Sequence, residues 1–276
     1  MTLIRKEGDG RLHLQSDLMG ESLMDKSLMA STVTDKPFRI MPDVHVVKIG
    51  GQSITDRGRV ALFPVLDEII ENRKDKKIII STGGGSRSRH VYAIALDLGM
   101  PAGVLAKLGS SISEQNALMI AMLLAGRGGI KIGHDDLPKL ASYLSLGCTP
   151  IVHGMPPYGL FEEPPAVGRL PAHRTDVGAF LLAEVFGCDH CVYIKDETGL
   201  YTADPKKDPK AELIPEIELN DLLALDLNDL ILERSTLTAM QNSMYVKRIY
   251  IVNGLVPDNL TKALNGENAG TVIYKK

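Results

Sequence analysis

Residues 191–209 read Cys-Val-Tyr-Ile-Lys-Asp-Glu-Thr-Gly-Leu-Tyr-Thr-Ala-Asp-Pro-Lys-Lys-Asp-Pro. Cys191 to Ile194 has the length and β-rich composition of a buried strand, and it stops abruptly at Lys195-Asp196-Glu197 before Thr198-Gly199 turns the chain. In an open α/β sheet, charged groups just past the carboxyl end of a strand lie where ligands bind. Tyr201 offers a face to a flat ring, Asp204-Pro205 and Asp208-Pro209 make rigid turns, and Lys206 and Lys207 bring positive charge between them. Together these features point to a nucleotide clamp. The plainer alternative is a solvated loop.

Two upstream stretches show the same strand-to-turn pattern. Val44 to Ile49 is a strand running into Gly50 and Gly51, which lack Cβ atoms and let backbone N–H groups approach phosphate, with Lys48 as a cation beside them. Lys77 to Ser81 delivers Thr82-Gly83-Gly84-Gly85-Ser86 into a helix carrying Arg87 and Arg89. Glycines, a helix N-terminus and guanidinium groups make an oxyanion site there.

The rest of the chain alternates in the same way. A helix is expected over 60–72, with Pro64 in or just past its first turn. Ser110, Ser111 and Ser113 are expected to cap an apolar helix running to about Ala125. Short strands are expected to end on His134 and His153, and Asp135 or Asp136 to cap a helix to about Leu146. A proline-rich loop from Gly154 to Pro165 then leads to His173, and Thr175 or Asp176 opens a helix to about Phe186. Helical patterns follow at about 219–226 and 228–241, then a strand over 248–253, a short helix capped by Asp258, and a closing strand from Gly270. This alternation makes the fold a three-layer αβα sandwich with a mainly parallel sheet, over 44–276.

Composition narrows the function. Among 276 residues, 44% are hydrophobic and 24% charged, as in ordinary globular proteins, so a full core can be buried. A net charge of −3 argues against a general nucleic-acid or membrane surface, so a bound anion must be held by local donors. No apolar run approaches the ~20 residues of a membrane span, and no signal-peptide core opens the chain, so a cytoplasmic protein is expected. Cys188 and Cys191 form a lone C-x-x-C without a second pair, which reads as buried thiols rather than a zinc site.

Residues 1–43 stand apart as an N-terminal arm. Leu18-Met19, Leu23-Met24 and Leu28-Met29 recur every five residues, which advances a helix by about 140° and gives no single helical face. Met packs adaptably on irregular surfaces, so the arm is expected to dock on a neighbouring subunit, a disordered tail being the alternative.

The segment from Tyr201 to Pro209 closely resembles the nucleotide-binding segment of bacterial uridylate kinases, in the amino-acid kinase superfamily, and the resemblance runs from about Val44 to Tyr274. It implies an amino-acid kinase-like fold in which Lys48 binds phosphate and Asp176 orients the lysines and metal around it. The implied ATP or phosphate site comprises Lys48, Gly50, Gly51, Gly83, Gly84, Gly85, Arg87, Asp176, Lys195, Tyr201 and Asp204, with ATP and Mg²⁺ as cofactors. The chain departs from that family where it holds the acceptor. Thr198 stands where an aspartate is usual, Ala106 matches an aspartate that handles the nucleoside monophosphate, and His173 and Arg174 replace neutral polar or aromatic residues. With these departures the chain resembles the molybdenum/tungsten storage subunits of the same superfamily. That resemblance implies intracellular storage of molybdate or tungstate as polyoxometalate clusters in an ATP-binding hetero-oligomeric cage, a hexamer with a homologous second subunit. ATP binding without kinase activity is expected, with ATP hydrolysis left open. His134, His153 and His173 are the metal candidates, expected to change charge across the neutral range. A nucleoside monophosphate (UMP-like) kinase is the alternative.

Overall fold

The computed structural model describes residues 4–6, 8, 12–14, 23–33 and 37–276, the first and third of these segments by backbone only. Contacts divide the chain into Met1–Phe38 and Arg39–Lys276. In the smaller unit, β1 (Ile4–Lys6) pairs antiparallel with β2 (Leu12–Leu14), and α1 (Lys26–Ser31) is capped by the Asp25 carboxylate. Leu18-Met19 lies outside the described residues.

The larger unit runs β3 (Val44–Ile49), α2 (Arg59–Asn72), β4 (Lys77–Thr82), α3 (Gly85–Asp97), α4 (Ala102–Leu123), β5 (Gly129–Ile132), α5 (Leu140–Ser145) and β6 (Thr149–His153). It continues with α6 (Thr175–Phe186), β7 (His190–Lys195), β8 (Leu200–Tyr201), β9 (Leu213–Ile214), β10 (Glu216–Glu218), α7 (Leu219–Ala224), α8 (Arg234–Gln241), β11 (Arg248–Asn253), α9 (Asn259–Leu264) and β12 (Gly270–Tyr274). Eight strands form one sheet in the order β10-β12-β11-β7-β3-β4-β6-β5, parallel throughout except where β11 meets β12. This is the mainly parallel αβα sandwich expected.

Because strand side chains alternate, β3 and β7 divide their residues between two cores. Val44, Val46, Cys191 and Tyr193 pack with Ala179, Phe180 and Ala183 of α6 and Leu237 and Met240 of α8. Val47, Ile49, Val192 and Ile194 pack instead with Val65 and Ile69 of α2, Ile120 of α4 and Leu260 of α9. Burial on both faces explains why these strands are largely apolar, with His45 and Lys48 in β3 and His190 and Lys195 in β7 as the polar exceptions. Lys48 and Lys195 share parity with the first set, so both turn towards α6. The chain leaves β3 for β4 on one side and returns to β7 on the other. The carboxyl ends of β3 and β7 therefore flank a switch point, where open α/β sheets bind ligands.

Several expected boundaries shift. α4 starts two turns earlier than expected, with Pro101 at its N-cap, so the serines lie inside it. Ser113 Oγ donates to Thr82 O at 2.8 Å and Ser111 Oγ to Leu108 O at 2.7 Å, satisfying hydroxyls within the packed helix rather than at its end. Ala106 is consequently a buried residue inside α4. Asp135 and Asp136 do not cap an α-helix. They fall in a 3-10 run, His134–Lys139, where Pro138 lacks an N–H and Asp136 pairs with Lys139 at 2.7 Å. β5 ends at Ile132, two residues short of His134. α7 and α8 are shorter than their sequence patterns, and Asp258 stands at the α9 N-cap with φ 65° and no side-chain cap. No helix of the described residues is long and apolar enough to cross a membrane.

Candidate functional site

Three buried charges define the centre. Asp176, in the first turn of α6, lies with Oδ1 2.5 Å from Lys48 Nζ and Oδ2 2.9 Å from Lys195 Nζ. In the register of β3 with β7, two parallel neighbours, Lys48 pairs with Tyr193, so Lys195 lies two residues further on the same face and the two lysines stand diagonally beneath the start of α6. Burial by itself would raise the Asp176 carboxyl, but Lys195 and Lys48 override it and hold the group well below the usual carboxylate range. Burial lowers Lys195 in turn, opposed by Asp176. Desolvating these ions costs several kcal/mol each, so the triad is a poor stabiliser and is better suited to receive an anion that the lysines can share.

Asp176 is not the N-cap of its helix. That position is Arg174, and the exposed N–H groups are taken by Glu233, whose carboxylate accepts from Arg174 N at 3.2 Å, Asp176 N at 3.1 Å and Val177 N at 3.1 Å. Burial and the Asp176 charge raise the Glu233 carboxyl above its ordinary range. No sequence signal marks Glu233, because its partners lie more than 50 residues away in the chain.

Two connected chambers flank the triad, of about 440 and 450 Å³, within the range of small-molecule sites. Lys48, Gly50, Gly51, Gly83, Gly84, Gly85, Asp176 and Lys195 line the first. Its charged lining is Lys48, Arg89, Arg174 and Lys195 against Asp176 and Glu233, so cations are in excess. Lys195, Tyr201 and Asp204 line the second, which opens on Pro205, Lys206 and Ile231. Gln52, Ser53, Arg89 and Lys195 border both.

The glycines are needed first for each other. A Cβ on Gly51 would come 2.2 Å from Gly85 N, so the turns after β3 and β4 pack backbone on backbone. Gly85 also has φ +72°, and a Cβ there would meet the Asp56 carboxylate at 2.5 Å. That carboxylate accepts from Ser86 N at 2.6 Å, so the protein itself occupies part of the α3 N-terminus.

Other expected residues are spread differently. Arg87 turns to α4, donating to Asn116 Oδ1 and to Gln115 Oε1, whereas Arg89 borders both chambers. Asp196 pairs with Arg57 at 2.6 Å, and Glu197 with Lys206 at 2.7 Å. Asp204 accepts from Lys206 N at 2.9 Å and pairs with Lys207 at 2.9 Å, which shapes its own loop.

His134 and His153 meet although their strands end at different levels, with ring centroids 3.9 Å apart. His134 Nε2 lies 2.9 Å from Met155 O, and His153 Nδ1 lies 3.4 Å from Ser110 Oγ. Burial, then the neighbouring His134, hold His153 at about 4, and burial also lowers His134. Both rings are therefore neutral in the neutral range, and the expected change of charge there does not hold. His173 sits elsewhere, with Nδ1 3.0 Å from Glu162 Oε1 and its ring edge-on to Tyr158. Cys188 and Cys191 are buried thiols pushed up to about 12 by that burial.

Residues 43–253 match the model of the amino acid kinase family. Over 260 residues the chain is 48% identical to molybdenum storage protein subunit beta of Azotobacter vinelandii, covering 94% of this chain and 96% of that one. It is 28% identical over 240 residues to uridylate kinase of Methanobrevibacter smithii, covering 84% and 99%. Among solved structures, uridylate kinase from Archaeoglobus fulgidus matches with a TM-score of 0.61 at 25% identity, covering 83% of this chain and 99% of that one. UMP kinase from Ureaplasma parvum shares the fold, with a TM-score of 0.65 at 20% identity, covering 85% and 99%.

Proposed function

The chain belongs to the amino acid kinase family, and from that premise we propose that it is a molybdenum or tungsten storage subunit that binds ATP. The observation that carries this reading is 48% identity to a molybdenum storage subunit along nearly the whole length of both chains. Two positions speak against phosphoryl transfer to a nucleoside monophosphate: Ala106 is a buried apolar residue inside α4, and Thr198 bears no charge. Phosphoryl transfer is mostly positioning and charge neutralisation, so loss of acceptor groups removes the reaction while ATP binding persists.

In this reading the excess of cations in the first chamber receives the ATP phosphates, with Lys48 and Lys195 as the principal donors and Arg89 beside them. The second chamber, with Tyr201, takes the nucleoside. The triad fits a polyphosphate, because Asp176 already holds both lysines in place. It fits Mg²⁺ less directly: both Asp176 oxygens are engaged by ammonium groups, so the cation would arrive on the phosphates themselves. The cargo is molybdate or tungstate, stored as condensed oxide clusters in a cage built with a homologous second subunit, the hexameric arrangement included. His134 and His153 would contact the cluster as neutral imidazoles, able to ligate metal or donate one N–H each. His173, committed to Glu162, is the weaker candidate.

The test is elemental analysis of the protein after incubation with molybdate and Mg-ATP, alongside a coupled assay with UMP. Molybdenum well above one atom per chain, with no UMP-dependent ADP release, is expected. Metal at the level of the buffer together with UMP phosphorylation would make the protein a kinase instead.

A further inference from the structure

The nucleotide cleft occupies the carboxyl end of β3 and β7. At the amino end of the same two strands stands a second group of side chains that the storage reading does not use. His45 and His190 are register partners on adjacent parallel strands, so their side chains emerge from the same face of the sheet. Their rings stack with centroids 5.2 Å apart, and Tyr250 packs edge-on against His190 at 5.1 Å. Asp189 precedes β7 and is anchored by its N–H, which donates to Val44 O at 2.8 Å. Its Oδ2 lies 2.8 Å from His190 Nδ1, which in turn lies 3.2 Å from His45 Nδ1. One ligand atom from each of the three residues falls within 4.8 Å of the others.

We propose that His45, Asp189 and His190 form a binding site for a divalent first-row transition-metal cation, separate from the nucleotide cleft and from the His134–His153 pair.

Three potential ligand atoms here compete for few protons. Two facing Nδ1 atoms share at most one proton between them, and the Asp189 carboxylate already competes for the proton on His190. With the shared proton on His190 Nδ1, beside the Asp189 carboxylate, His45 Nδ1 presents its lone pair to a cluster that also holds a carboxylate. The spacing suits a shared cation. With metal–nitrogen bonds of about 2.0–2.1 Å, a 3.2 Å separation of the two Nδ1 atoms corresponds to an N–metal–N angle of roughly 100°. Two imidazoles and one carboxylate are borderline ligands that select Zn²⁺, Co²⁺, Ni²⁺ or Fe²⁺ over Mg²⁺ or Ca²⁺. Burial favours the neutral, ligating form of both rings.

Access and charge are compatible with this assignment. His45 is buried, but the Asp189 side chain is 44% exposed, so one side is open for entry and for water to complete the coordination shell. Lys76, Arg39 and Arg248 act against a cation here, and Asp43 and Asp189 favour it. The Arg39 guanidinium is already directed to Gly187 O at 2.8 Å and Cys188 O at 2.7 Å. The two histidines sit on central strands rather than loops, which holds the donor spacing.

The probe is Co²⁺, titrated in the absence of nucleotide and molybdate into the tag-free full-length protein. Visible ligand-field absorption and calorimetry give the readout, and Zn²⁺ serves as competitor. The wild-type protein should bind cobalt saturably with nitrogen-ligand bands and lose it to zinc. His190→Ala and Asp189→Asn should each weaken that binding by at least about 10- to 100-fold, the cost of losing even a supporting contact. Asp189 is partly exposed, so Asp189→Asn is the variant expected to keep the fold, and a melting curve on each variant checks this. Three results would overturn the proposal: no cobalt bands in the wild type, the same cobalt affinity in both folded variants, or a signal abolished by His153→Ala and retained in His190→Ala.

Discussion

Lys48 Nζ lies 2.5 Å from a carboxylate that Lys195 also holds, and its side chain is only 5% exposed. An ammonium so placed has few partners besides Asp176 and whatever enters the first chamber. Lys48→Ala should therefore weaken ATP binding by ~1–3 kcal/mol, as expected for one charge-assisted contact. Calorimetry below the melting temperature measures this, and an unchanged affinity would remove Lys48 from the site. His153 shows what residue-level reading of a sequence misses. A free imidazole titrates near pH 6.5, but burial and His134 hold this one at about 4, a property of packing that the sequence does not carry. Condensation of molybdate to clusters consumes protons, so stored metal should be retained in mild acid and released towards alkaline pH. The ring has no proton to give up in that range. His153→Ala should accordingly lower the metal content per chain, with ATP affinity unchanged and the pH midpoint of release unmoved. A shifted midpoint would show that the ring is protonated beside the cluster; undiminished metal content would take His153 out of the storage site.

At the scale of elements, α6 is where fold and site meet. Its N-terminus delivers Asp176 to the lysines, and Glu233 satisfies three of its N–H groups from outside the helix. Glu233→Ala should cost about 1–2 kcal/mol, the value of a good N-cap, and should lower ATP affinity because Asp176 is then less firmly placed. Urea denaturation checks the first effect, and a midpoint equal to wild type would mean that water replaces the carboxylate fully. The elements themselves were largely legible. β3, β4, β7 and β11 are buried on both faces, so each is a short, largely apolar and β-branched segment with few alternative readings. Glu233 was not legible, since a cap supplied by a separate segment leaves no local pattern. The serines of α4 misled for the opposite reason: Ser110, Ser111 and Ser113 look like caps, yet Ser111 and Ser113 bond to carbonyls within the packed structure. The glycine turns are visible in the sequence as places where backbone approaches phosphate, but Gly51 and Gly85 are required by each other's backbones before any phosphate is considered.

The whole molecule couples a sheet stabilised by its own two cores to an N-terminal unit of a different kind. Among the described residues of 1–38 are one short two-stranded pairing and one six-residue helix, Lys26–Ser31, with no buried residue in that helix. An isolated two-stranded hairpin is marginal in water, and so is a helix of under two turns. Leu23, Met24, Met29 and Val33 are all more than half exposed, and Met24 is 87% exposed. Apolar surface of this kind is expensive to leave in water and adaptable enough to fit an irregular partner. Arg39 marks where the larger unit begins, since its guanidinium is bound to Gly187 O and Cys188 O. A truncation that removes residues 1–38 and keeps Arg39 therefore separates the two roles: the αβα unit should fold with its ATP affinity intact, while the assembly should lose mass or melt at a lower temperature. Sedimentation velocity and thermal melting of the truncated and full-length proteins, at matched concentration, measure both. An assembly of unchanged mass and stability would show that the arm is a passive tail and that the subunits are held together by the αβα unit alone.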